Sequence, residues 1–178
     1  MSRISAAIGS AVFFVIAPVL ISGLVPWWMS GWRMQEPFFG LAPLRALGAL
    51  LVAIGIPVVL EAFGRFVLEG HGTPAPVLPT RHLVVRGTYR HVRNPIYLAV
   101  VSIILGQGLI LGNVALLVYG AVLWLGFHVF VLAYEEPTLR RTFAAEYATY
   151  CANVPRWVPR LAPWKGSLRV LRKSTSRR

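Results

Sequence analysis

The chain has 178 residues, of which 56% are hydrophobic and only 13% charged, and it carries a formal charge of +12. That balance excludes an ordinary soluble domain, and the basic residues sit beside apolar runs long enough to span lipid, not on one solvated face as nucleic-acid binding requires. A single cysteine, Cys151, rules out an internal disulfide framework or a multi-thiolate metal site, and His71, His82, His91 and His128 show no ligand-like spacing.

Residues Ala6 to Leu24 are almost uniformly apolar and lead into Pro26-Trp27-Trp28, an aromatic group suited to the headgroup level. This predicts a first span over 6–28 that is kept, since a cleaved signal peptide has a shorter apolar core and a small-residue cleavage site. After a loop bearing Arg33 and Glu36, Leu41 to Leu68 reads as a second span with small residues for close helix packing. Glu61 and Arg65, four apart near its end, read as an interfacial ion pair. From 69 to 94 the chain turns proline- and arginine-rich with one short apolar run, Leu83 to Val85, and is expected to lie over the membrane face.

The segment Gly87 to Tyr97, GTYRHVRNPIY, ends that linker. Pro95 at a first helical position has no donor to lose, and Asn94 before it is expected to cap the helix. A third span then covers 95–111, Gly112-Asn113 makes a tight turn, and a fourth covers 114–134, giving an antiparallel hairpin. Beyond Glu135-Glu136-Pro137, the apolar residues Leu139, Phe143, Tyr147 and Tyr150 recur at helical spacing and predict an amphipathic C-terminal helix. Residues 154–164, VPRWVPRLAPW, read as interfacial, and 165–178 as a basic tail. The predicted fold is thus an all-α integral membrane protein of one domain with about four spans. Arg33 and Arg45 fall on one side, while Arg3, the linker arginines and the tail fall on the other. The excess of Arg and Lys places both termini in the cytoplasm, with anionic lipid facing much of this charge.

The hairpin brings the start of the third span and the end of the fourth to the same side, so Arg93 and Asn94 should face Glu135 and Glu136 under a lid of linker and C-terminal helix. Such a pocket suits a ligand with a carboxylate, a cation and a flat apolar part. S-adenosylmethionine has all three, although other nucleotide-like or zwitterionic ligands, and a purely structural ion-pair cluster, meet the same description.

The ordered set GTPAPVLPTRHLVVRGTYRHVRNPIY, the Gly-Asn turn, EEPTLRRTFAAEYATY and VPRWVPR resembles the isoprenylcysteine carboxyl methyltransferase family, with phospholipid methyltransferases as neighbours. The resemblance covers about 70–160. It implies a membrane methyltransferase in which Leu83, Val84, Val85, Tyr89, Asn94, Pro95, Ile96, Tyr97 and Glu135 enclose S-adenosylmethionine, joined on grounds of charge by Arg93. Two positions depart from the better-known members: Asn94 stands where they have His, and Val131 where they have an Arg expected to meet a substrate carboxylate. Arg140 or Arg156 are the arginines able to replace it. For a thiol or amine acceptor the bases would be Glu136 or His128. The acceptor is expected to be lipophilic or small, and the enzyme to need no metal and no covalent intermediate. The composition, rich in Arg, Ala and Gly, fits a bacterial inner-membrane protein. The competing reading is a non-catalytic four-helix membrane subunit or assembly factor that binds anionic lipid or a partner.

Overall fold

A computed structural model describes residues 18–70 and 83–166. Most of the first expected span, the prolines of the linker with His71 and His82, and most of the basic tail lie outside the described residues. The described elements are helical: a π-turn at Leu20–Leu24 leading into α1 (Val25–Ser30), α2 (Pro43–Gly70), a 3-10 turn at Gly87–Arg90, α3 (Pro95–Leu111), α4 (Val114–Phe130), a second π-turn at Val131–Glu135, and α5 (Glu136–Asn153).

Two stretches, Pro43–Arg65 and Val114–Asn153, are long and apolar enough to cross a membrane, and only 17% of the apolar window of each is buried inside the protein. A soluble core helix would bury that surface, whereas here side chains such as Leu60 and Val122 are about two-thirds exposed (65% and 64%). Lipid is the solvent that makes such a surface tolerable. The shorter α3 has 17 residues, about 26 Å of helix.

The centre of the bundle is the α2–α3 contact, built on glycine. An ideal β-carbon on Gly48 would lie 2.6 Å from the Gly106 carbonyl oxygen, one on Gly106 would lie 2.6 Å from the Gly48 oxygen, and one on Gly55 would meet Ile103 at 2.7 Å. The two backbones therefore touch directly, the packing mode that replaces hydrophobic association in lipid. Gly106→Val should cost roughly 1–3 kcal/mol through overpacking. A melting temperature in lipid nanodiscs equal to that of the wild type would disprove this contact.

Both π-turns end two residues before a proline, Pro26 and Pro137. A proline lacks an N–H and its ring presses on the carbonyl four residues back, and the wider turn moves that carbonyl aside. At Pro26 the carbonyl concerned is that of Ser22, and Gln107 Nε2 donates to it at 2.6 Å. Tyr119 donates to the next-door carbonyl of Ile21 at 3.1 Å, so α3 and α4 both hold the first helix.

The α3–α4 hairpin closes on Gly112, which has φ +68° and is approached so closely by the Glu36 carbonyl that a side chain cannot fit. Asn113 then caps α4, its side-chain oxygen accepting from the Leu116 amide at 3.2 Å. Asn94 does not play this part for α3: its side chain makes no capping bond. The expected C-terminal helix, α5, follows α4 without a gap: in the π-turn Glu136 N donates to Val131 O, which carries the helical run past Pro137. The break falls later, at Ala144, with φ +31°.

Candidate active site at the membrane boundary

The site is built where the loop 83–94, the start of α3, the α4–α5 junction and the segment 154–164 converge. The side chains of the apolar run Leu83 to Val85 divide between two clusters. Val84 joins Ala62 and Tyr89, with Ile96 against them. Leu83 and Val85 turn the other way, onto Tyr147, Tyr150 and Val154 of the C-terminal region. The run thus staples the α2 side to the α5 side.

The next turn is held from both ends. Glu61 accepts from the Thr88 amide at 3.2 Å and its hydroxyl at 2.7 Å, and also pairs with Arg65. Gly87, at φ +55°, lies so close to Glu61 and Arg65 that a β-carbon has no room. The Glu61–Arg65 pair read from sequence is therefore also the anchor of the Gly87–Arg90 turn. On the far side Tyr150 donates to the Tyr89 carbonyl at 2.7 Å. Burial, reinforced by Tyr150, Glu135 and Glu61 nearby, holds the Tyr89 phenol well above its ordinary value, so it stays neutral.

The adjacent glutamates have different surroundings. Glu136 is 5% exposed. Arg156 binds it through Nε–Oε1 at 2.6 Å and Nη2–Oε2 at 3.0 Å, Arg93 adds Nη1–Oε1 at 3.0 Å, and exposed Arg140 lies 3.8 Å from Oε2. Burial alone would raise its carboxyl, but Arg156, Arg93 and Arg140 outweigh this and hold it below the usual carboxylate range. Glu135, one residue earlier, has a single hydrogen bond among the described residues, from the Tyr97 hydroxyl to Oε2 at 3.0 Å. Tyr97 is itself fixed by stacking on Phe127, centroids 4.6 Å apart.

Asn94 and Pro95 are buried at the head of α3. Asn94 Nδ2 donates to the Arg156 carbonyl at 3.2 Å, which ties the helix start to the 154–164 segment instead of capping it. That segment pairs backbone to backbone with the loop: Arg93 N to Pro155 O and Arg160 N to His91 O at 2.9 Å, and Trp164 N to Arg90 O at 3.0 Å. Sequence reading gave it an interfacial position and missed this strap role. The only available signal was its prolines, which disfavour helix and leave amides and carbonyls for pairing elsewhere.

His128 Nδ1 accepts from Trp157 Nε1 at 2.9 Å, and its ring stacks on Trp124. These contacts anchor the strap on α4. Val131 is 1% exposed, inside the packed π-turn, so its position offers no surface for a substrate carboxylate. Arg156, one of the arginines able to take that role, is bound twice to Glu136. Arg93 brings the N-terminal end of α3 to the glutamates. Its Nη1 serves Glu136 and Cys151 Sγ, the latter at 2.8 Å, while its Nε is buried and lacks an acceptor among the described residues.

The fold and these contacts define a helical membrane protein with a polar site at the lipid boundary, containing an orphan guanidinium donor and a carboxylate matched only by a phenol among the described residues. A model of the phospholipid methyltransferase family matches residues 44–146, more than half of the chain, and the chain belongs to that family. The family falls within the isoprenylcysteine carboxyl methyltransferase-like group. No curated protein matches the chain significantly. The matched region runs from α2 into α5 and stops short of the strap. Membership identifies a membrane methyltransferase.

Proposed function

We propose that the protein is an S-adenosylmethionine-dependent methyltransferase of the membrane, with Glu135 at the centre of its donor site. The observation that carries this reading is the contrast between the two glutamates. Glu136 is neutralised by arginines, while Glu135 is left among the described residues with Tyr97 alone, a carboxylate in want of a cation. Arg93 Nε, buried with no acceptor among those residues, supplies the opposite need. A zwitterion bearing a carboxylate and positive charge matches both, and the family supports the same ligand. Arg93 and the α3 amides beyond Asn94 and Pro95 would receive the carboxylate, and Glu135 with Tyr97 the cationic part. Leu83, Val84, Val85, Tyr89 and Ile96 would form the apolar walls. When bound, the donor supplies a methyl group already activated on sulfonium.

The protein's own task is then to align donor and acceptor and exclude water. Both side chains considered as bases are occupied, Glu136 by arginines and His128 by Trp157. With neither placed to take a proton, a phospholipid headgroup amine, which the family name makes the first acceptor to test, would have to reach the donor already as the neutral amine. A prenylcysteine carboxylate is disfavoured, since Val131 is enclosed and Arg156 engaged. We read α3 and the first apolar stretch as further spans, making four, with the site and both termini cytoplasmic. Family membership lends nothing to a non-catalytic subunit.

Calorimetry of the protein in lipid nanodiscs should show S-adenosylmethionine or S-adenosylhomocysteine binding at a single site. A folded sample that binds neither overturns the proposal. Isotope-labelled methyl donor incubated with protein and a lipid extract then identifies the acceptor class by where the label goes.

A further inference from the structure

Three arginines surround Glu136, and one carboxylate cannot match them all. Its Oε1 takes Arg156 Nε and Arg93 Nη1, and its Oε2 takes Arg156 Nη2. Arg140 Nη2 stands 3.8 Å from Oε2, beyond hydrogen-bond reach, and Arg140 donates no hydrogen bond among the described residues. Glu135 does not restore the balance, because it is turned to Tyr97 and has the sulfonium as its counterpart in the function proposed above. The donor's carboxylate answers Arg93. Arg140 is left for another anion.

Arg140 is also held in place without spending its donors. Its guanidinium lies over the ring of Tyr147, 5.8 Å from the centroid, and Tyr147 is buried and packed against Tyr150. The Arg140 side chain remains 59% exposed. An arginine positioned by an aromatic face keeps its planar fork of N–H groups for an oxyanion such as phosphate. Its level suits a lipid phosphate: Glu136 stands two residues beyond Tyr134, the last residue of the fourth span. That is about 3 Å of helix rise, within a headgroup layer about 5–7 Å deep.

We propose that Arg140 receives the phosphate of the methyl acceptor, which makes the acceptor a lipid with a phosphodiester and Arg140 a specificity-determining residue. This rests on the donor site proposed above. A lipophilic amine or thiol without the phosphate lacks the group that Arg140 is placed to bind, so the enzyme discriminates against it in binding and not in the transfer itself.

The test uses the full chain in maltoside micelles, which carry no phosphate, saturated with S-adenosylhomocysteine and titrated in a calorimeter with dihexanoylphosphatidylethanolamine. The wild type should bind this lipid. Arg140→Gln should weaken binding about tenfold, the loss expected when hydrogen bonds to a charged group are removed, and Arg140→Lys, which keeps the charge without the fork, should lose less. Arg141→Gln, at the next exposed position of α5, should change it less than about twofold. The aminoethyl ether of the same diacylglycerol, which has the amine and no phosphate, should bind the wild type and Arg140→Gln alike. Affinity for S-adenosylhomocysteine should be the same in every variant, and its loss in Arg140→Gln overturns the proposal. Thermal melts identify a variant that fails to fold, and Arg140→Lys decides the matter if Arg140→Gln does. A wild type that binds S-adenosylhomocysteine but not the lipid, or a loss from Arg140→Gln no greater than from Arg141→Gln, overturns this proposal and leaves the donor site standing. A wild type that binds no S-adenosylhomocysteine overturns the donor site and this proposal with it. Inorganic phosphate competing as strongly as the lipid would make this a site for free anions and overturn the acceptor role.

Discussion

Replacing Glu136 by Gln is expected to destabilise the protein by about 3 kcal/mol, the lower end of the range for removing one member of a buried ion pair. The loss is large because the carboxylate is shared: Arg93 from the head of α3 and Arg156 from the strap both lose their partner, and Arg93 is nearly as buried as the glutamate. The sign of the pH dependence is fixed by the same contacts. The folded-state carboxyl lies below its ordinary value of 4.5. Its contribution is therefore complete above about pH 4.5 and is lost as pH falls through the lower folded value. Thermal unfolding in nanodiscs should show the wild type losing stability in acid toward the level of the Gln variant, with the two curves converging. Equal melting temperatures at neutral pH would remove Glu136 from the fold's supports.

Glu135→Gln should do the reverse. Its one described hydrogen bond comes from a neutral phenol that an amide oxygen also accepts from, so melting should stay close to wild type. What disappears is the negative charge. A hydrogen bond to a charged group contributes roughly 1.5–3 kcal/mol, so methyl-donor affinity should fall about ten- to hundredfold. Calorimetry beside a thermal melt separates the neighbours, one variant losing affinity and the other stability. Unchanged donor affinity in Glu135→Gln would refute the proposed site.

Much of this arrangement was legible in the chain. Pro95, Gly112-Asn113 and the start at Val114 give helix limits because each has local chemistry that requires it. The meeting of the α3 start with the glutamate pair follows from hairpin geometry, and the structure shows both halves of it in the Arg93–Glu136 and Tyr97–Glu135 contacts. The parts that could not be read depend on long-range competition for the same atoms. Asn94 and Asn113 both precede helices, yet only Asn113 caps, because the Arg156 carbonyl lies where it takes the Asn94 amide. The divergent roles of Glu135 and Glu136 are equally invisible in two identical letters. They arise because the π-turn aims one at Tyr97 and the other at Arg93 and Arg156, both distant along the chain on either side. The joining of α4 to α5 past Pro137 could not be read either, because the wider turn that accommodates the proline has no sequence mark beyond the proline itself.

The strap has a consequence for how the protein matures. Residues 90–94 can be synthesised and α3 inserted while residues 155–164 are still inside the ribosome, and until those emerge the loop lacks its backbone partners and Glu136 lacks Arg156. Insertion of the helices and completion of the site are thus separated in time.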